Sequence, residues 1–113
     1  MNPESPMIKI TVERVFHPSE VSPQPFTSAI KDKCSIFNEG ETYTYTGFQQ
    51  PEGFCPIAWQ AIYPYAFTLY KGGDLSSWYG DPDVAILCCP DGRRPVIFRL
   101  ERVYQDEKEQ MYL

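Results

Sequence analysis

From residue 7 to residue 16 apolar and polar side chains alternate, with Ile8, Ile10 and Val12 on one side and Lys9, Thr11 and Glu13 on the other. A period of two marks a strand with one buried face. The parity breaks after Arg14, where Val15 and Phe16 are both apolar. A bulge or the strand end accounts for that. Pro18, Pro23 and Pro25 then disfavour regular structure over residues 17–26. Residues 27–33 read as a short helix capped by Thr27 or Ser28. Cys34-Ser35-Ile36-Phe37 leads into a turn at Asn38-Glu39-Gly40. Residues 41–46 set Tyr43 and Tyr45 between threonines, a second strand. Residues 47–53 are loop.

From residue 56 the period lengthens to that of a helix. Ala58, Ile62, Tyr65 or Ala66, and Leu69 fall on one face. Pro56 suits the first helical position, and Gly72-Gly73 supplies the stop. Pro64 removes one hydrogen bond and crowds the preceding turn, so a kink or two abutting segments is expected near Tyr63. Residues 74–83 form a loop around Trp78 and Tyr79. Residues 84–89 are almost continuously apolar, the most buried strand by composition. Pro90-Asp91-Gly92-Arg93 is a tight-turn signal for a hairpin. The returning strand, residues 95–103, places Val96, Phe98 and Leu100 on one face and Ile97, Arg99 and Glu101 on the other.

These elements predict an α+β domain. A small, largely antiparallel sheet of about four strands carries one main, proline-interrupted helix on one face. Residues 1–6 are a proline-containing lead, 7–104 the single domain, and 105–113 a charged tail. The length of 113 residues fits one domain. Seven Phe, eight Tyr and two Trp are enough to build a core without disulfides or metal.

Charge narrows the partners. A net charge of −5 without a basic run disfavours nucleic acid. Arg93, Arg94, Arg99 and Arg102 are interleaved with Asp91 and Glu101, as in ion pairing. No apolar stretch reaches the length of a membrane span, and Met1-Asn2-Pro3-Glu4 lacks a signal pattern. A cytoplasmic location follows as the expectation, with the cysteines as thiols or ligands.

Candidate chemistry centres on Cys34, Cys55, Cys88 and Cys89. Four thiolates match the count of a closed zinc or iron–sulfur site, although no Cys-x-x-Cys spacing is present. Neighbours in a regular strand face opposite ways, so Cys34, Cys55 and one of Cys88 and Cys89 form the more plausible set. That set leaves a position for His17, a carboxylate or water. Core packing of the four is the competing reading. Cys55 stands at a helix entrance, where the dipole favours a thiolate. Glu52 beside it is a weak general-base candidate, or a solvated loop acid. Asp91, Arg94 and Glu101 read as a brace of the hairpin, with Arg93 and Arg94 as an anion-binding alternative. Trp59, Tyr63, Tyr65 and Phe67 cover more than one side of the helix, so a symmetric homodimer is a reasonable expectation.

Several short motifs recur together in a known order. They are Gly53-Phe54-Cys55-Pro56 with Ala58-Trp59, Ile62-Tyr63-Pro64, Gly72-Gly73, Cys88-Cys89, Asp91-Gly92, and Arg94-Pro95-Val96-Ile97-Phe98 with Glu101-Arg102. On these the chain resembles a family of small single-domain bacterial and archaeal proteins with no assigned function. The likeness runs from the first strand to about Val103. Ile57 stands where that family usually has an aromatic residue, Ser35 where it commonly has proline, and the segment 18–25 is atypical. The resemblance implies a fold and a shared set of residues, and it brings no activity.

The sequence therefore points to a small binding or interaction domain without catalysis, whose partner is a second copy or another protein. A zinc- or iron–sulfur-binding thiol protein using Cys34, Cys55 and Cys88 or Cys89 is the alternative. A thiol-dependent redox enzyme led by Cys55 is the weaker one.

Overall fold

A computed structural model describes residues 6–21 and 31–104. Four strands form one antiparallel sheet: β1 (Pro6–Val15), β2 (Thr42–Tyr45), β3 (Val84–Cys88) and β4 (Val96–Tyr104). Their spatial order is β2-β1-β4-β3. The main helix is α2 (Pro56–Tyr70), and two single-turn helices are α1 (Pro18–Val21) and α3 (Ser76–Tyr79). The α+β class and the helix on one sheet face match the alternation in the sequence.

The centre of the sheet is the long β1·β4 pair. Ile8, Ile10 and Val12 of β1 lie on the same face as Val96, Phe98 and Leu100 of β4, and all six are buried. Alternation within each strand brings this about, because register pairs like with like: Ile10 faces Leu100 and Val12 faces Phe98. The expected break in parity is a bulge, placed one residue earlier than the sequence suggests. Val12 pairs with Phe98 and Arg14 with Ile97, leaving Glu13 as the extra residue.

Helix α2 lays Ala58, Ile62, Ala66 and Leu69 on that apolar face. Pro64 does not divide it, and the helix is continuous from Pro56 to Tyr70. The reason is position. Pro64 and Gln60 are both exposed, so the carbonyl that loses its partner can turn to water. Replacing Pro64 with alanine is therefore expected to stabilise the fold by about 2 kcal/mol, the interior-proline cost less its unfolded-state benefit. Urea unfolding measures this, and a loss of stability would refute it. The helix ends where predicted: Gly72 has φ +90°, and a side chain at Gly73 would strike Thr68.

Two loops carry more order than their composition suggests. Pro18 opens a helical turn in which Glu20 Oε1 accepts the His17 N–H at 2.9 Å. Proline suits the first helical turn, and the acid three residues after His17 closes back on it. A second turn, α3, lies inside the loop around Trp78 and Tyr79. The expected helix at 27–33 falls mostly outside the described residues, as do residues 1–5 and 105–113; Lys31–Lys33 is not helical.

Strand β3 is not the most buried strand. It is an edge, and only Ala85 is fully buried in it. Its continuous apolar run reflects partial cover, with Ile86 and Cys88 turned to the open face.

One side chain joins the far ends of these elements. Arg102 on β4 has a side chain only 5% exposed. Its Nη1 donates to the carbonyls of Leu69 and Gly73 at 2.8 Å each. Its Nε and Nη2 reach Asp83 Oδ1 at 2.8 and 2.7 Å, and Nη2 also donates to the Pro82 carbonyl at 3.0 Å. Four hydrogen bonds and the ion pair with Asp83 thus hold the guanidinium. The end of α2, the entry to β3 and β4 are pinned together through it.

Candidate thiol-lined cavity

At the opposite end of α2 the chain encloses a cavity of about 220 Å³. Cys34, Cys55 and Cys89 all contribute to its wall, with Asp91 and Arg94 on the hairpin side. Three separate parts of the chain supply the thiols: the loop before Phe37, the entrance to α2 and the end of β3. None of the four cysteines is fully buried; Cys34, Cys55 and Cys89 pack against the edge of the core and keep part of their surface open. All four are free thiols.

Each thiol has a local reason for its position. Cys55 is the N-cap of α2, in extended conformation, with Pro56 next. Its side chain makes no capping bond, so the sulfur is left to the cavity beside the positive end of the helix. Cys34 Sγ accepts the N–H of Ile36 at 3.4 Å, and Cys89 Sγ accepts that of Val96 at 3.3 Å. Each of these contacts fixes its sulfur on the wall.

Cys88 is outside the wall. It is the exposed last residue of β3, and Cys89 follows outside the strand, close enough for the two thiols to interact. Desolvation pushes the Cys88 thiol up from its ordinary value, and the neighbouring Cys89 adds to this.

The hairpin brace is present in part. Asp91 Oδ1 accepts the N–H groups of Arg93 and Arg94 at 2.9 and 3.1 Å, and Oδ2 accepts Arg94 Nε at 3.0 Å. Burial opposes ionisation of Asp91, but these donors outweigh it and hold the carboxyl below its usual range. Glu101 is not in the brace. It sits on the open sheet face and pairs with Arg99 at 3.4 Å, because odd positions of β4 point away from the core.

The other candidates lie elsewhere. Glu52 is exposed and outside the cavity wall, so it does not stand as a base beside Cys55. Arg93 is likewise outside the wall, which leaves Arg94 as the cation of the cavity. His17 is exposed, bonded through Nδ1 to Ser19 at 2.8 Å, and does not complete the thiol set. Among the described residues no three of His, Cys, Asp or Glu are drawn together closely enough to hold a metal ion. The sulfurs ring the cavity without meeting at a point. Nor is any helix of the described residues long and apolar enough to cross a membrane.

Sequence reasoning groups Cys34 and Cys55 with one of Cys88 and Cys89 without choosing between the two, and it misses that Arg94 lies on the same cavity wall. The Asp91-Gly92 turn is the available signal, since a hairpin tip must bring its flanks back toward Cys89. Comparison with family models, with curated proteins and with solved structures gives no match to this chain.

Proposed function

We propose that this protein is a binding domain whose ligand is a thiophilic metal ion of the zinc class, taken up by Cys34, Cys55 and Cys89. The observation that carries this reading is the shared cavity: three thiols from distant parts of the sequence line one space. Soft thiolates select zinc-like ions over magnesium or calcium. The N–H···S contacts at Cys34 and Cys89 and the helix entrance at Cys55 hold the sulfurs at the cavity, and metal capture itself drives thiols to release their protons. The three sulfurs do not meet at a point, so capture requires the wall to close on the ion.

Catalysis by Cys55 has less support. The one carboxylate in the described wall is Asp91, and both its oxygens are engaged. A four-thiolate iron–sulfur site would need Cys88, which is not part of the cavity wall.

The test is metal content. Protein purified anaerobically is expected to hold about one equivalent of zinc per chain. Single Cys→Ser changes at 34, 55 or 89 should each weaken binding by on the order of 100-fold, and Cys88→Ser should leave it within a few-fold. Metal-free protein that does not take up zinc under reducing conditions would sink the reading. Iron with acid-labile sulfide would replace it by the cluster.

A further inference from the structure

Independently of the metal reading above, we infer that the free edge of β3 is an interface at which two copies of this chain pair strand to strand. β3 ends the sheet order and has β4 on one side only. Its five residues hold one unbroken register against β4. Just outside the strand, the Cys89 N–H donates to the Val96 carbonyl at 3.0 Å, and the Arg102 N–H donates to the Asp83 carbonyl at 2.9 Å. In an antiparallel ladder, residues that bond inward alternate with residues that bond outward. Asp83, Ala85, Leu87 and Cys89 therefore turn their main-chain groups to β4. Val84, Ile86 and Cys88 turn theirs to the outer edge, where no backbone group among the described residues takes them up.

Edge strands ordinarily resist pairing through a lysine, a proline, a bulge or very short length. Val84-Ala85-Ile86-Leu87-Cys88 has no charge, no proline and no bulge. Pro82 and Pro90 limit the edge just beyond it. The flanking acids are held within their own chain, Asp83 by Arg102 at 2.8 Å and Asp91 by Arg94 at 3.0 Å. An open ladder of this kind is completed by a strand, and its spacing selects a second copy. The outward groups lie symmetrically about Ile86. A two-fold axis there sets Ile86 against its own counterpart and Val84 against Cys88 of the second copy, so that each outward N–H meets an outward carbonyl. The facing side chains are apolar as well. Ile86, 41% exposed in one chain, meets another Ile86, and Ala85 meets Leu87. The product is one continuous sheet with both α2 helices on the same face. It uses up both β3 edges, so pairing closes at the dimer.

Sedimentation velocity of the whole chain under reducing conditions, from about 10 µM to about 1 mM, reads association without interchain disulfides. A monomer–dimer equilibrium is expected within that range, because a short interface gives weak affinity. Amide exchange followed by NMR reads the surface. The amides of Val84, Ile86 and Cys88 should slow several-fold from the dilute to the concentrated end, while those of Ala85 and Leu87, already bonded to β4, change little. Ile86→Lys, which sets like charges opposite each other across the seam, should raise the half-dimer concentration by about tenfold or more. Phe67→Lys, on the exposed side of α2, should leave it within about twofold. If Ile86→Lys fails to fold, the amide pattern of the parent chain decides alone. A chain still monomeric at about 1 mM overturns the inference. So does a dimer that Ile86→Lys leaves intact, or one in which the outward amides exchange as fast as in the monomer.

Discussion

Replacing Arg102 with methionine is expected to destabilise the protein by about 2–4 kcal/mol, from the loss of charge-assisted hydrogen bonds at a nearly buried site. The ion pair with Asp83 is the smaller part of this. Asp83 is 42% exposed, so its charge is well screened and Asp83→Asn should cost only about 1 kcal/mol. The larger part is the carbonyls. Leu69 lies in the last turn of α2 and Gly73 just past it, where carbonyls run short of intrahelical donors. Removing the guanidinium takes the donor from the Gly73 carbonyl, at about 1–3 kcal/mol if water does not reach it, and leaves the Leu69 and Pro82 carbonyls with the backbone N–H groups of Gly72 and Leu75 alone. Arg102→Lys keeps the charge, but three donors on one nitrogen do not span four acceptors on two chain segments. Its loss should fall between those of Asp83→Asn and Arg102→Met. Urea unfolding of the variants gives the ranking. A methionine variant within about 1 kcal/mol of the parent would mean that Arg102 does not organise this end of the fold.

Arg102 also shows what the sequence could and could not convey. Its pairing character is legible from the interleaved charges, but its acceptors are main-chain groups 29 and 33 residues away. A carbonyl leaves no mark in the sequence. By contrast, Ile8, Ile10 and Val12, and Val96, Phe98 and Leu100, announce their faces, because a strand's period is fixed by covalent geometry. Helix α2 announces its buried stripe in the same way. Strand β3 misleads for a related reason. Apolar composition records how much a strand can bury, while its place at the sheet edge is set by pairing order. Pro64 does not divide α2, because a proline's cost depends on whether the orphaned carbonyl meets water, and that depends on which side of α2 packs. At the cavity, chemistry is legible and proximity is not. Cys34, Cys55, Cys88 and Cys89 all stand out as soft ligands, whereas which of them share a cavity with Arg94 does not.

The residue that best links stability to the cavity is Phe37, which sequence pattern does not single out. It lies in a loop between a thiol and a turn, yet it is buried. Its ring meets Phe54 at 4.9 Å, Phe98 at 5.0 Å and Tyr43 at 5.8 Å in edge-on contacts. After Phe37 the chain is tied to β1, through Gly40 N–H to the Val12 carbonyl and Val12 N–H to the Glu41 carbonyl, both at 2.8 Å. Before it, no backbone hydrogen bond joins residues 31–36 to a strand or helix among the described residues. Phe37 is thus the anchor that holds Cys34 against the cavity. Phe37→Ala is expected to cost about 3–5 kcal/mol from lost burial and the void left among three aromatic rings. Phe37→Leu, which refills most of the space, should cost about 1–1.5 kcal/mol. The two effects separate in the thiols. In folded Phe37→Leu protein, alkylation of Cys34 should accelerate relative to that of Cys55, whose position is set by α2. Mass spectrometry of timed alkylation gives both rates in one sample. Equal acceleration at both cysteines would show that the whole cavity loosens together, and unchanged rates would show that Cys34 is held by something other than this ring.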